Sequence, residues 1–237
     1  KEDGTPYQES PRYILKKVIQ KAKEKGYTLM VDPECEFFLF HTDDNGMPTT
    51  KTHEKAGYMD LSPIDLGENA RRDMVLTLEE MGYDIESSHH EIAPGQHEID
   101  FEYSGTMETA DKIVTFKTAV RTIAKRHGLH ATFMPKPRAG VNGSGMHVNM
   151  MLMKDGKNIF TDKSDELGLS KEAYAFMAGI LNHIKGMTAI CNPLVNSYKR
   201  LAPGFEAPSE ITWSSRQRTA LIRVPYRKEE GTHLELR

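Results

Sequence analysis

The sequence predicts an α+β fold with a largely antiparallel sheet flanked by helices, on three observations. Short alternating runs are joined by tight turns, as in "DIESSHHEIAPGQHEIDFEY" around Pro94-Gly95. Two long helical patterns, roughly 106–127 and 170–189, stand apart from those runs instead of alternating with them strand by strand. The chain then finishes in short strands around 211–213, 220–224 and 234–237.

The elements follow in order. Ser10-Pro11, then Tyr13, Ile14, Val18, Ile19 and Ala22, then Gly26, reads as a capped amphipathic helix with a glycine stop. "LMVDPECEFFLF" reads as a strand in which Pro33 points to an edge or a bulge. "TDDNGMP" is turn chemistry. Ala70, Met74, Leu78 and Met81 fall at helical spacing over 69–81, closed by Gly82. If Pro94-Gly95 forms a two-residue turn, Glu91 stands opposite Glu98. The segment 106–127 turns Ala110, Ile113, Val114, Phe116, Val120 and Ile123 mostly inward. "GVNGSGMHVNMMLMKDGKN" is a glycine-rich loop feeding a strand that ends at Asp155-Gly156. Ser170 caps the next helix, and "NPLVNSYKRLAPGFEAP" reads as a long loop of the kind that carries function.

The 237 residues suffice for a real core and are read as one domain, 1–237. A net charge of −3 gives no global field for nucleic acid or a membrane surface, and no apolar run approaches a bilayer span. Two cysteines make no disulfide framework, and a reducing cytoplasm is the expected setting. Lys1 in place of an initiator Met, and an alternating pattern still running at Arg237, suggest a piece of a longer protein.

Glu34 and Glu36 lie two apart on one strand and share a face about 7 Å apart. Alone they read as solvated strand residues. Glu91 and Glu98 change the weighing, because like charges directly across a ladder destabilise it unless a cation lies between them. Glu235 is a further strand acid, and His147 leads out of the glycine-rich loop. Several Glu with one His suit hard divalent cations, Mg²⁺ or Mn²⁺, better than a cysteine-rich zinc site. "SSRQRTALIRVP" adds Arg216, Arg218 and Arg223, with Arg200 upstream and Arg237 at the end. These read either as a solvated basic face or as recognisers of phosphate and carboxylate. In a plain strand 218 and 223 face opposite sides. Acids for metals beside guanidinium forks are the apparatus of phosphoryl transfer.

Six motifs, "ECEFFLF", "HHEIAPGQHEIDF", "VNGSGMHVN", "NPLVNSYKRLAPGFEAP", "SRQRTALIRVP" and "HLELR", occur in the order seen in type I glutamine synthetases, which the chain resembles from end to end. The resemblance implies part of a catalytic domain with a curved, largely antiparallel sheet, without the family's N-terminal β-grasp domain and C-terminal helical part. It implies ATP-dependent ligation of ammonia to glutamate through γ-glutamyl phosphate, with two divalent cations. One would sit on Glu36, Glu91 and Glu98, the other on Glu34, His147 and Glu235. Arg200 would hold the substrate α-carboxylate, with Asn142 and Gly143 placing glutamate and Tyr58 lining the ammonium pocket. Arg218 and Arg223 would meet phosphates, Arg237 the acyl phosphate, and Glu206 would shield the intermediate. Glu86 would contact the nucleotide, and Asn149 lies on the ATP side. Asn149 stands where many members carry a second His, Met151 replaces the usual Ser, and His233 stands where Arg is common.

The full-length parent is expected to be a cytoplasmic dodecamer, and the isolated piece to be inactive because a neighbouring subunit completes each site. Two other readings remain. One is a γ-glutamyl-amine ligase; the other is a non-catalytic relative, expected to have lost the metal ligands that this chain keeps.

Overall fold

The computed structural model describes residues 1–52, 54–225 and 231–237. Among them, five helices and ten strands run in the order α1 (Pro11–Glu24), β1 (Thr28–His41), α2 (Glu68–Glu80), β2 (Ile85–His90), β3 (Gln96–Phe101), β4 (Ser104–Gly105), α3 (Thr106–Arg126), β5 (Leu129–Thr132), β6 (Met146–Lys154), β7 (Lys157–Asn158), α4 (Lys171–Cys191), α5 (Val195–Arg200), β8 (Glu210–Ser214), β9 (Ala220–Arg223) and β10 (Leu234–Leu236). One mixed sheet takes all ten strands, with the path β2-β3-β1-β6-β10-β9-β8. Every pairing is antiparallel except β8 with β9.

Strand alternation sorts β1 into two faces. Cys35, Phe37 and Leu39 enter a core with Met74 and Leu78 of α2 and Phe116, Val120 and Ile123 of α3. Val31, on the same side, joins Met150, Ile222 and Leu234 under Met177, Ile180 and Ile184 of α4. Helices α2, α3 and α4 thus cover one face of the sheet. Each fully buried Phe or Leu there contributes about 1.5–3 kcal/mol over its exposed state. The opposite face of β1 carries Asp32, Glu34 and Glu36, and beyond them Phe38 and Phe40, whose stacked rings are 5.4 Å apart and close on Ala93. The Ser170 side chain caps α4 by accepting from Ala173 N at 3.1 Å.

Three expectations are corrected. Pro33 does not mark an edge, because β1 lies in the middle of the sheet. It falls where β1 passes from β4, which ends its pairing at Val31, to β3, which begins at Glu34. The missing N–H therefore sits in a gap between two ladders. In the β2–β3 hairpin, Glu98 stands opposite His89 and His90 opposite His97, so Glu91 is not the partner of Glu98. Gln96 N donates to Ala93 O at 2.9 Å and Gly95 has φ +72°, a type II turn. Its twist does not match that of paired strands, so the ladder stops short of it and the register moves by two residues. Finally, the long loop after Pro193 contains the helix α5.

Candidate active site

The register of the sheet brings the acids together. Glu34 pairs with Asp100 on one side and His147 on the other. One step along, Glu36 pairs with Glu98, and one step back Asp32 pairs with Asn149, which in turn faces Glu235. The side chains open into a cavity of about 380 Å³. Every position given a metal, substrate, nucleotide or catalytic role from the sequence lines it except Arg200, which lies behind the glycine-rich loop; Arg216 and Met151 also lie outside the lining. Arg218 and Arg223 converge on the cavity because β9 begins only at Ala220, leaving residue 218 free of strand alternation.

Glu34, His147 and Glu235 form one cluster, with ligand atoms within 4.8 Å of one another. His147 Nε2 receives guanidinium donors from Arg200 Nη2 and Arg237 Nε, both at 3.3 Å. The ring hydrogen therefore sits on Nδ1 and is donated to Glu34 Oε2 at 2.7 Å. Burial works against ionisation of Glu34, but the bonds from His147 and Asn149 prevail and bring its carboxyl down to about 2. Glu235 accepts from Arg223 Nη1 through both oxygens, at 2.8 and 3.1 Å. The glycine-rich loop has to be glycine where it crosses Arg200: a Cβ on Gly145 would lie 2.5 Å from Arg200 Nη2 and 3.0 Å from His147 Nε2.

The second cluster is His89, Glu91 and Glu98. Sequence reasoning missed His89. The signal was there in strand alternation, since His89 shares a face with Glu91, but the two-residue error in register hid its place opposite Glu98. His89 Nε2 is 3.2 Å from Glu91 Oε1 and 3.9 Å from Glu98 Oε2. Burial, reinforced by the charges of Asp100, Glu36 and Glu91, pushes Glu98 well up. Glu91 moves down: burial opposes this, but His89 and the Ile92 N–H outweigh it. Glu36 stands between the two clusters. Its Oε2 accepts from Gln96 Nε2 and Gly145 N, each at 2.9 Å, and its Oε1 is 3.9 Å from His147 Nε2.

Two further acids escaped the sequence reading. Asp32 and Asp100 line the cavity, are almost wholly buried, and each keeps an Oδ1 with no hydrogen-bond partner. Burial, then the charges of Glu86, Asp100 and Glu34, raises Asp32 to about 8. Burial, with Glu34 nearby, raises Asp100 to about 6. So many buried carboxyls with uncompensated charge, plus imidazole, form a donor set that fits hard divalent cations. Neither cysteine belongs to it: Cys35 points into the helix-side core and Cys191 is exposed. At the rim, Arg218 Nη1 lies 3.7 Å from Glu206 Oε2, Arg237 donates to the carbonyls of Arg218 and Glu206, and the Tyr58 ring meets His89 edge-on at 5.5 Å. Asn142, Gly143, Glu86 and His233 also line the cavity.

The model of the glutamine synthetase catalytic domain matches residues 8–237. The chain belongs to the glutamine synthetase family. Over 237 residues it is 65% identical to the glutamine synthetase of Clostridium saccharobutylicum, covering all of this chain and 54% of that protein. Over 236 residues it is 57% identical to that of Thermus thermophilus, covering 99% and 53%. The chain thus spans about half the length of the curated relatives it matches. Among solved structures, it superposes on Plasmodium falciparum glutamine synthetase with a TM-score of 0.88 at 31% identity, over 99% of this chain and 52% of the other. A GmaS–ADP complex gives 0.87 at 36% identity, over 99% and 55%. The antiparallel sheet with helices on one face is therefore the fold of glutamine synthetase structures. ATP and divalent cations belong to the chemistry of glutamine synthetases in general, and the acids gathered here are of the kind such cations require.

Proposed function

We propose that the protein carrying this chain joins ammonia to L-glutamate at the expense of ATP, through γ-glutamyl phosphate, and that residues 1–237 are part of its single catalytic domain. The observation that carries the reading is the pair of oxygen-and-imidazole clusters on one sheet face, with Glu36 between them and arginines around the rim. Glu34, His147 and Glu235 would hold one divalent cation, Mg²⁺ or Mn²⁺. Glu91 and Glu98, with Glu36 and His89 at hand, would hold the other. Bound there, the cations would neutralise phosphate oxygens and fix the reacting carboxylate.

The chain's own groups supply the rest. Arg218, Arg223 and Arg237 offer fixed donors to the transferred phosphoryl group. Asn142 and Gly143 place glutamate in the cavity, and Arg200, which the glycine-rich loop keeps off the cavity, would have to swing from His147 to meet the substrate α-carboxylate. Glu86 and Asn149 lie on the nucleotide side. Tyr58 and Glu206 flank the amine entry, and Glu206 shields the acyl phosphate from water. Substrates are glutamate, ammonia and ATP. A cytoplasmic dodecamer is the expected state of the full-length protein, and the isolated chain is expected to be inactive.

The GmaS likeness favours a second reading, a γ-glutamyl-amine ligase, while the 65% identity to a glutamine synthetase favours ammonia. Product formation by the full-length protein, glutamine from ammonium against the γ-glutamyl amide from putrescine, decides between them. Product from neither amine would end both readings in favour of an inert relative.

A further inference from the structure

Behind the metal-facing side of the β2–β3 hairpin lies a second set of buried ionisable groups. Asp65, His90 and His97 bring ligand atoms within 4.8 Å of one another. A guanidinium already stands among them: Arg71 Nη1 is 2.7 Å from Asp65 Oδ2 and 2.9 Å from His97 Nδ1, and its Nε donates to Ser88 Oγ at 3.0 Å. This set is bridged by a cation of the chain itself and is no metal site.

Glu54, next to it, has a different geometry. One of its oxygens accepts from Ala56 N, and the other accepts from Gly95 N and, at 3.1 Å, from His90 Nε2. His90 has no exposed surface, and its Nδ1 donates to the Glu91 carbonyl at 2.6 Å. Glu91 lies just past the end of β2 at His90. Its N–H still donates across the hairpin to Gln96 O at 2.8 Å, and His90 secures its carbonyl, the other end of the residue. Gly95 can approach Glu54 only as glycine: it has φ +72°, and a Cβ would lie 2.6 Å from Thr52 Cγ2 and 2.8 Å from Leu39 O.

We propose that Glu54 is a positioning residue for the cation cluster at the hairpin, acting through His90 on the main chain of Glu91. The proposal rests on the reading of Glu91 as a cation ligand. Only a carboxylate meets all three donors. An amide at 54 offers one oxygen and one NH₂, so either Ala56 N–H or Gly95 N–H must face another donor. Glu54 also starts the segment that leads to Tyr58, so one buried side chain ties the amine-side loop, the turn and the end of β2 together.

The test is calorimetric titration of Mn²⁺ into the unsubstituted chain and Glu54→Gln, with thermal melting alongside. The expected result is a loss of about tenfold or more in affinity at one site, the one that Glu98→Gln removes, with the Glu34–His147–Glu235 site unchanged. A purely structural role would lower Tm and leave that selectivity absent. His90→Phe, which keeps a ring but no donor, should show the same selective loss, and it carries the test if Glu54→Gln does not fold. Equal affinities at both sites in the variants would overturn the positioning role alone. No Mn²⁺ binding by the unsubstituted chain would overturn this proposal and the functional reading together.

Discussion

His147 donates its Nδ1 hydrogen to Glu34 across 2.7 Å, and the same nitrogen lies 3.6 Å from Glu235. A proton therefore occupies the place between two carboxylates where a divalent cation would be ligated. A cation on Nδ1 needs the lone pair that this hydrogen occupies, and a neutral ring keeps one hydrogen, so the hydrogen has to pass to Nε2 while Arg200 and Arg237 turn away from it. The ¹⁵N spectrum of the histidine rings should show the Nδ1–H tautomer of His147 without metal and the Nε2–H tautomer at saturating Mg²⁺. His147→Ala should remove that signal and weaken Mn²⁺ binding at this site by about tenfold or more. A ring that keeps its Nδ1 hydrogen at saturating Mg²⁺ would show that His147 does not ligate through that nitrogen.

The buried acids set the pH dependence of stability. Asp32 is raised to about 8 and Asp100 to about 6, from 3.8 for each in an open chain, and Glu98 is raised well above its usual range. Between the two values the folded chain holds protons that the unfolded chain has released. The contribution of these raised groups is full below the unfolded values and is lost as pH rises through the folded values, whereas Glu34 and Glu91, both lowered, act in the opposite sense only below about pH 5. Each raised group is worth about 1.4 kcal/mol per pH unit, or about 3–6 °C of Tm in a chain of this size. Tm of the metal-free chain should fall from pH 5 to pH 8, and added Mn²⁺ should raise Tm more at pH 8 than at pH 5. A metal-free Tm that climbs across that range would contradict the assignment.

Much of this was legible in the sequence. Alternation in 31–40 tells which residues of β1 face helices and which face the cavity, and the spacing of Glu34 and Glu36 marks the site. What could not be read was whatever depends on partners distant in sequence. Pro33 looks like an edge residue until β4 and β3 are seen to flank it in turn. The hairpin register was missed by two residues because a Pro-Gly turn does not continue a twisted ladder, and His89 was lost with it. Asp32 and Asp100 are ordinary strand acids until the sheet buries them. Arg200 was expected among the cavity residues, but α5 sets it behind the glycine-rich loop, where it reaches His147 instead.

The crossing of that loop over Arg200 gives a steric prediction. A methyl group on Gly145 would collide with the buried guanidinium of Arg200, crowd the imidazole and push Arg200 off His147 Nε2. Gly145→Ala should cost about 1–3 kcal/mol in stability. It should also displace Gly145 N from Glu36, to which it donates at 2.9 Å. Thermal melting and Mn²⁺ titration together check this. A variant with unchanged Tm and unchanged binding would mean that the loop can lift away freely.

Glu98 separates stability from function. Its carboxyl is buried among Asp100, Glu36 and Glu91, and burial with their charges keeps it protonated far above the usual range. Glutamine has nearly the same shape and no charge to desolvate, so Glu98→Gln removes a repulsion that the chain bears only when no cation is bound. At pH 8 the metal-free variant should melt higher than the unsubstituted chain, by about 2–4 °C for each kcal/mol relieved. An amide is also a poor partner for a divalent ion beside Glu91, so the rise in Tm on adding Mn²⁺ should shrink. The two curves should therefore cross: the variant is the more stable without metal and the less stable with it. A variant that melts lower in both conditions would mean that Glu98 is an ordinary structural carboxyl, held by its neighbours and not strained by them.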